Sequence, residues 1–104
     1  MKLLTAANRK ALPPLYSQEA VADPIAQVKF FTPDGACTWY ALEFDGVDRF
    51  FGWADLGDPD CAELGYFLLS DLARSRGLLG LPIERDRWFR PTPLSAVKRA
   101  RRVA

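Results

Sequence analysis

Histidine does not occur in this chain. Its absence removes Ser-His and Cys-His dyads, imidazole metal sites and the most usual general base. Glycine-rich phosphate cradles of either common pattern are missing too. A catalytic role would have to rest on carboxylates, Tyr, Lys or Cys, so a binding module without a cofactor is expected rather than an enzyme. Cysteine is scarce: Cys37 and Cys61 match no metal-binding or redox spacing. No apolar run approaches the roughly 20 residues that cross a bilayer. Met1-Lys2-Leu3-Leu4-Thr5 turns polar before an export signal's apolar region can form. The expectation is a cytoplasmic protein with no membrane partner and reduced thiols.

What the chain does have is aromatic residues and a divided charge. Seven Phe, three Tyr and three Trp occur mostly as adjacent pairs: Phe30-Phe31, Trp39-Tyr40, Phe50-Phe51, Tyr66-Phe67 and Trp88-Phe89. Successive strand residues point to opposite faces, so each pair places one ring on either side of a sheet. One side must be the core; the other is either covered by helices, the expected case because large exposed apolar patches are uncommon on a monomer, or presents exposed rings that could stack bases or dock a protein partner. The net charge is +1, yet residues 1–73 carry a balance of −6 and residues 74–104 a balance of +7. With 104 residues the chain is the size of one domain, residues 1–104, with a basic helical tail from about residue 93.

Residues 5–12 read as a short helix capped by Thr5, with Leu4, Ala7, Ala11 and Leu12 as its apolar face and Pro13-Pro14 as its stop. An irregular connector follows to Pro24. Strands are predicted over 26–32, 38–44, 49–54 and 63–69, separated by Pro33-Asp34-Gly35, by Asp45-Gly46 and by a loop holding Gly57 and Pro59. Four such strands in sequence suggest an antiparallel meander. Ser70 reads as the cap of a helix over 71–76, residues 78–83 as a packed loop, and 84–90 as an extended segment. Thr92-Pro93 reads as the start of a last helix running to about Arg101. The predicted fold is α+β: an antiparallel sheet of four to five strands with two or three short helices mainly on one face.

Two surfaces carry functional expectations. Arg85, Arg87 and Arg90 flank Trp88 and Phe89, while Lys98, Arg99, Arg101 and Arg102 load the last helix. Arg beside aromatic rings is the composition that grips phosphate and stacks on bases, so Arg85, Arg87, Trp88, Arg90, Lys98, Arg99, Arg101 and Arg102 are the candidate nucleic-acid contacts. Asp55, Asp58, Asp60 and Glu63 form an acidic run that could bind a protein; its spacing does not fit a calcium loop, and no metal is expected there. Neither cysteine has a basic sequence neighbour, and Asp60 beside Cys61 disfavours a thiolate. A third reading, an enzyme built on Tyr and carboxylates, would gain weight from a deep pocket joining Glu43, Tyr66 or Arg85.

Leu12-Pro13-Pro14-Leu15-Tyr16-Ser17-Gln18-Glu19, Lys29-Phe30-Phe31-Thr32-Pro33, Glu43-Phe44-Asp45-Gly46, Glu63-Leu64-Gly65-Tyr66-Phe67 and Gly80-Leu81-Pro82-Ile83-Glu84-Arg85-Asp86 occur in that order. Asp23-Pro24, Trp39-Tyr40 and Phe50-Phe51-Gly52 fall between them. In these motifs the chain resembles the domain-of-unknown-function family numbered twenty-nine fifty-eight, over about residues 1–97. The resemblance implies a small bacterial protein of plasmids, integrative elements or phages, and no particular activity. Such a protein would handle DNA or bind a nucleic-acid-processing protein. An Arg85–carboxylate pair locking the final segment to the sheet is the structural role expected for that motif.

Overall fold

The computed structural model describes residues 2–103, and of Pro59 and residues 101–103 the backbone alone. In chain order the elements are α1 (Ala6–Ala11), β1 (Ile25–Ala26), β2 (Val28–Phe31), β3 (Thr38–Phe44), β4 (Arg49–Asp55), a 3-10 turn (Pro59–Cys61), β5 (Glu63–Leu68), α2 (Leu69–Arg74), β6 (Glu84–Arg85), β7 (Thr92–Pro93) and α3 (Leu94–Val103). The expected α+β fold is the one adopted. Strands β2 to β5 form the meander, and β6 adds to the free edge of β2, giving an antiparallel sheet in the order β5-β4-β3-β2-β6. Strands β1 and β7 pair with each other in a separate ribbon. Among the described residues, no helix is long and apolar enough to cross a membrane.

The four aromatic pairs on the strands divide between the faces as the period of two requires, whereas Trp88-Phe89 lies in a turn beyond β6 and not on a strand. The first face buries Val28, Phe30, Ala41, Phe44 and Phe50 under Leu4, Leu12, Leu72 and Ile83. Phe50 stacks between Phe44 and Phe67, with ring centroids 4.5 and 5.1 Å away. The second face buries Leu42 with Ala26, Leu94 and Val97, and half-buries Tyr40, Phe51, Trp53 and Phe89. Helices α1 and α2 therefore serve the first face and α3 the second. Covering of the second face is incomplete: Tyr66 is 53% exposed.

Side chains of the loops do much of the capping. A reciprocal capping box starts α1, Thr5 Oγ1 accepting from Asn8 N and Asn8 Oδ1 from Thr5 N. The helix itself buries nothing; Ala7 and Ala11 face solvent, and the apolar contacts come from the flanking Leu4 and Leu12. Ser70 does not cap α2 as expected. It lies inside the first turn, and Asp48 caps that turn from the β3–β4 loop, accepting from Ser70 N and Ser70 Oγ at 2.7 Å each. Thr92 and Pro93 likewise do not begin α3, because they pair with Ala26 and Ile25. The helix starts at Leu94, whose N–H bonds Pro24 O at 2.9 Å. Residues 78–83 form the predicted loop, but only Ile83 packs into the core. Asp34 Oδ2 accepts from Leu79 N and Leu81 N, and this clamp leaves Leu78 and Leu79 exposed.

Gly52 is set by close approach. It lies opposite Ala41, and a Cβ there would come 1.9 Å from Tyr40 O, whereas Gly65 beside it on β5 has nothing within 4 Å of its own Cβ position. Gly52→Ala is therefore expected to cost about 3 kcal/mol or more, since backbone must move. Gly65→Ala should be close to neutral. Urea midpoints of the two variants check the contrast.

Candidate nucleic-acid interface

One register row crosses the second face: Lys29 on β2, Tyr40 on β3, Trp53 on β4 and Leu64 on β5. The Lys29 ammonium lies 5.6 Å from the Tyr40 ring centre, and that of Lys98, from α3, lies 4.7 Å from the Trp53 ring centre. Phe89 packs on Tyr40 at 5.8 Å. Tyr40 and Trp53 are direct cross-strand partners, so the segment after β6 and the helix after β7 meet on neighbouring rings. Each cation over a ring is held by the negative face of its π-system.

The turn at Asp86 aims the segment. Its N–H donates to Lys29 O at 2.9 Å, its carboxylate lies 3.9 Å from Lys29 Nζ, and Oδ1 accepts from Trp88 N at 2.9 Å. Phe89 is thereby directed onto the sheet, while Trp88 stands 85% exposed with Arg87 and Arg90 exposed on either side. Arg99 is exposed on α3, near Asp23.

Arg85 does not belong with this group. It pairs in register with Phe30, which places it on the opposite face, and its Nη1 donates to Lys2 O at 2.5 Å. The expected Arg85–carboxylate lock is replaced by this carbonyl bond, and Asp86 pairs with Lys29 instead. The side chains of Arg101 and Arg102 lie outside the described residues. Of the acidic run, Asp55 is fully buried and accepts from Gly57 N at 3.0 Å, so it is no part of an exposed contact surface. Asp58, Asp60 and Glu63 are exposed. Asp58 accepts from Asp60 N and from the thiol of Cys61. That hydrogen bond, with the negative charges of Asp58, Asp60 and Glu63, raises the Cys61 thiol above its ordinary 9.0, so Asp58 rather than Asp60 is the main cause. Both cysteines are free.

A cleft of about 430 Å³ adjoins the row between residues 16–24, β5 and α3. A β-bulge borders it: the register shifts between Ala41 and Glu43, Leu42 packs with Leu94 and Val97 of α3, and Glu43 lines the cleft. Glu43 is buried, and its two carboxylate oxygens accept from Tyr16 N at 2.9 Å and Gln18 N at 2.8 Å. Tyr16 is held at φ +69°, a left-handed conformation that costs a bulky residue about 1–2 kcal/mol. Strain of this kind persists where surrounding bonds over-determine it, and it gathers at ligand sites. Tyr66 shares a hydrogen bond with Tyr16, which with burial and the nearby negative charge raises its phenol above 10.0 and keeps it protonated. Glu43 and Tyr66 thus both line one cleft, while Arg85 lies on the opposite face. Both oxygens of Glu43 are engaged by backbone amides.

Lys29, Tyr40 and Trp53 were not legible as site residues because only the strand register makes them a row. Tyr16 carries no local signal at all, since its conformation depends on Glu43 from a distant strand.

Two variants probe this scaffold. Glu43→Gln replaces an anionic acceptor by an amide that can offer only one oxygen to the two N–H groups, at a cost of about 1–3 kcal/mol. Hydrogen exchange at Tyr16 and Gln18 amides is expected to accelerate first. Asp23 accepts from Ser95 N at 2.9 Å and Ser95 Oγ at 2.6 Å. These bonds, aided by Arg99 and Lys98, hold its carboxyl below the ordinary 3.8. The unfolded chain therefore takes up this proton more readily than the folded one. Its stabilisation is complete above 3.8 and drains away as pH falls through the lower folded value. Exchange protection of the first turn of α3 should weaken over that acid range, and Asp23→Asn should remove this dependence.

Neither the curated proteins nor the solved structures contain a match to the chain. Residues 3–104, nearly the whole chain, match the family described as Protein of unknown function (DUF2958). The motif strings, the fold they build and this coverage agree: the chain belongs to the DUF2958 family.

Proposed function

We propose that this chain is a non-enzymatic binding module that lays a single-stranded nucleic acid across the α3 side of its sheet. The observation that carries the reading is the convergence of Phe89 and Lys98 on the paired rings of Tyr40 and Trp53. It brings two basic segments, separate in sequence, to one aromatic surface. Arg87, Arg90, Lys98 and Arg99 supply phosphate contacts around that surface, and the exposed Trp88 indole supplies a stacking plane. Tyr40 and Trp53 carry Phe89 and Lys98 on their faces and so serve as the anchor, while the exposed rings of Trp88 and Tyr66 are the ones open to the bases of a flexible single strand. A duplex offers phosphates but no open base faces. The cytoplasm and a bacterial mobile element, the setting expected from the family resemblance, are where we place this activity.

Fluorescence anisotropy with a labelled single strand of about twelve nucleotides tests it. Affinity should fall steeply with salt, and each phosphate contact removed, by Lys98→Ala or Arg90→Ala, should lower the log–log salt slope by about 0.7. Trp88→Ala should weaken single-strand binding about tenfold while changing that slope little. Absence of binding at low salt would overturn the reading.

A further inference from the structure

The cleft beside the row has features that the phosphate surface does not use. Its floor is apolar, formed by Leu42, Phe51 and Leu64, and one wall is the Tyr66 ring, which lies 5.2 Å from Phe51. More than half of Tyr66 is open to solvent. The volume, about 430 Å³, falls in the range of small-molecule sites. Lys98 belongs to both places: it lines the cleft and also lies over Trp53 in the row. A phosphate held by Lys98 would therefore leave the attached sugar and base at the mouth of the cleft. Glu19 also lines the cleft, and its charge is felt at the Tyr66 phenol. Glu43 lies beneath, with its oxygens engaged by Tyr16 N and Gln18 N.

We propose that this cleft takes one unstacked nucleobase of the bound strand, chosen by Glu19 for an exocyclic amino group. The inference rests on the reading of the α3 side as a single-strand surface. A planar base matches an apolar floor and an aromatic wall, where stacking on each ring is typically worth about tenfold in affinity. A carboxylate in the cleft repels phosphate and accepts a hydrogen bond from an amine, as acidic side chains do from the cytosine amino group. Thymine and uracil carry no such group. The cleft therefore discriminates cytosine, adenine and guanine from thymine, while the row beside it binds phosphate and is indifferent to sequence. Tyr16, held at φ +69° by the Glu43 bond to its N–H, lines the same cleft as Tyr66.

The test compares three probes of equal length, oligo(dC), oligo(dT) and a fully abasic deoxyribose-phosphate strand, against the intact chain by anisotropy. Oligo(dC) should bind tightest and the abasic strand weakest, with roughly tenfold between oligo(dC) and oligo(dT) from the charged hydrogen bond to the amino group. Glu19→Gln should bring oligo(dC) down toward oligo(dT). Leu64→Trp, which fills the cleft from a partly exposed position, should abolish the same preference; its melting curve and circular dichroism verify that it folds. Equal binding of oligo(dC) and oligo(dT), or a preference unchanged in both variants, overturns the cleft assignment while leaving the single-strand surface intact. Failure of all three probes to bind at low salt overturns both.

Discussion

A single extra residue in β3 governs the side of the sheet on which function is placed. Strand β3 is central, and the shift between Ala41 and Glu43 leaves Leu42 and Glu43 on the same face. Without the bulge, strict alternation would send one of them to the opposite side. With it, Leu42 meets Leu94 and Val97 and seats α3, and Glu43 captures the backbone of residues 16 and 18. The neighbouring backbone follows: Phe44 N donates to Pro13 O and Gln27 N to Ala41 O, both at 2.9 Å. One irregularity in the ladder thus positions the helix, the connector and the cleft between them.

The carboxylates of the acidic portion act mainly as backbone clamps. Asp45 Oδ1 accepts from Val47 N, Asp48 N and Arg49 N to shape the β3–β4 loop. Asp48 caps α2, Asp23 caps α3, Asp34 holds residues 79 and 81, and Glu43 holds residues 16 and 18. A carboxylate bonded to backbone N–H groups is satisfied without a cation. Among the described residues, the ion pairs are Lys29–Asp86 and Arg74–Asp71. The division of charge along the sequence therefore survives folding: the negative groups close loops, and Arg87, Arg90 and Arg99 stay exposed.

The four long strands were legible because aromatic pairs bounded by turn residues have a period and a stop, both local. Asp45-Gly46 predicted its hairpin for the same reason, with Gly46 at φ +86°. The starts of α2 and α3 were misread because their caps come from Asp48 and Asp23, far away in sequence, while the adjacent Ser70 and Thr92 have other partners. The basic segment was legible as composition. Its division was not: Arg85 faces the first side of the sheet through its register with Phe30, and Asp55 is buried although its neighbours in the acidic run are exposed.

The sequence by itself determined what depends on neighbours along the chain: strand period, turn positions, the capping box of α1, the exclusion of imidazole chemistry and the opposed charges of the two portions. Tertiary structure alone decided which rings become a row, which carboxylate meets which amide and where a cleft opens. Those outcomes depend on register and on contacts between segments tens of residues apart. A shift of one residue in β3 exchanges the faces of everything beyond it, and no local pattern of residue types specifies that shift.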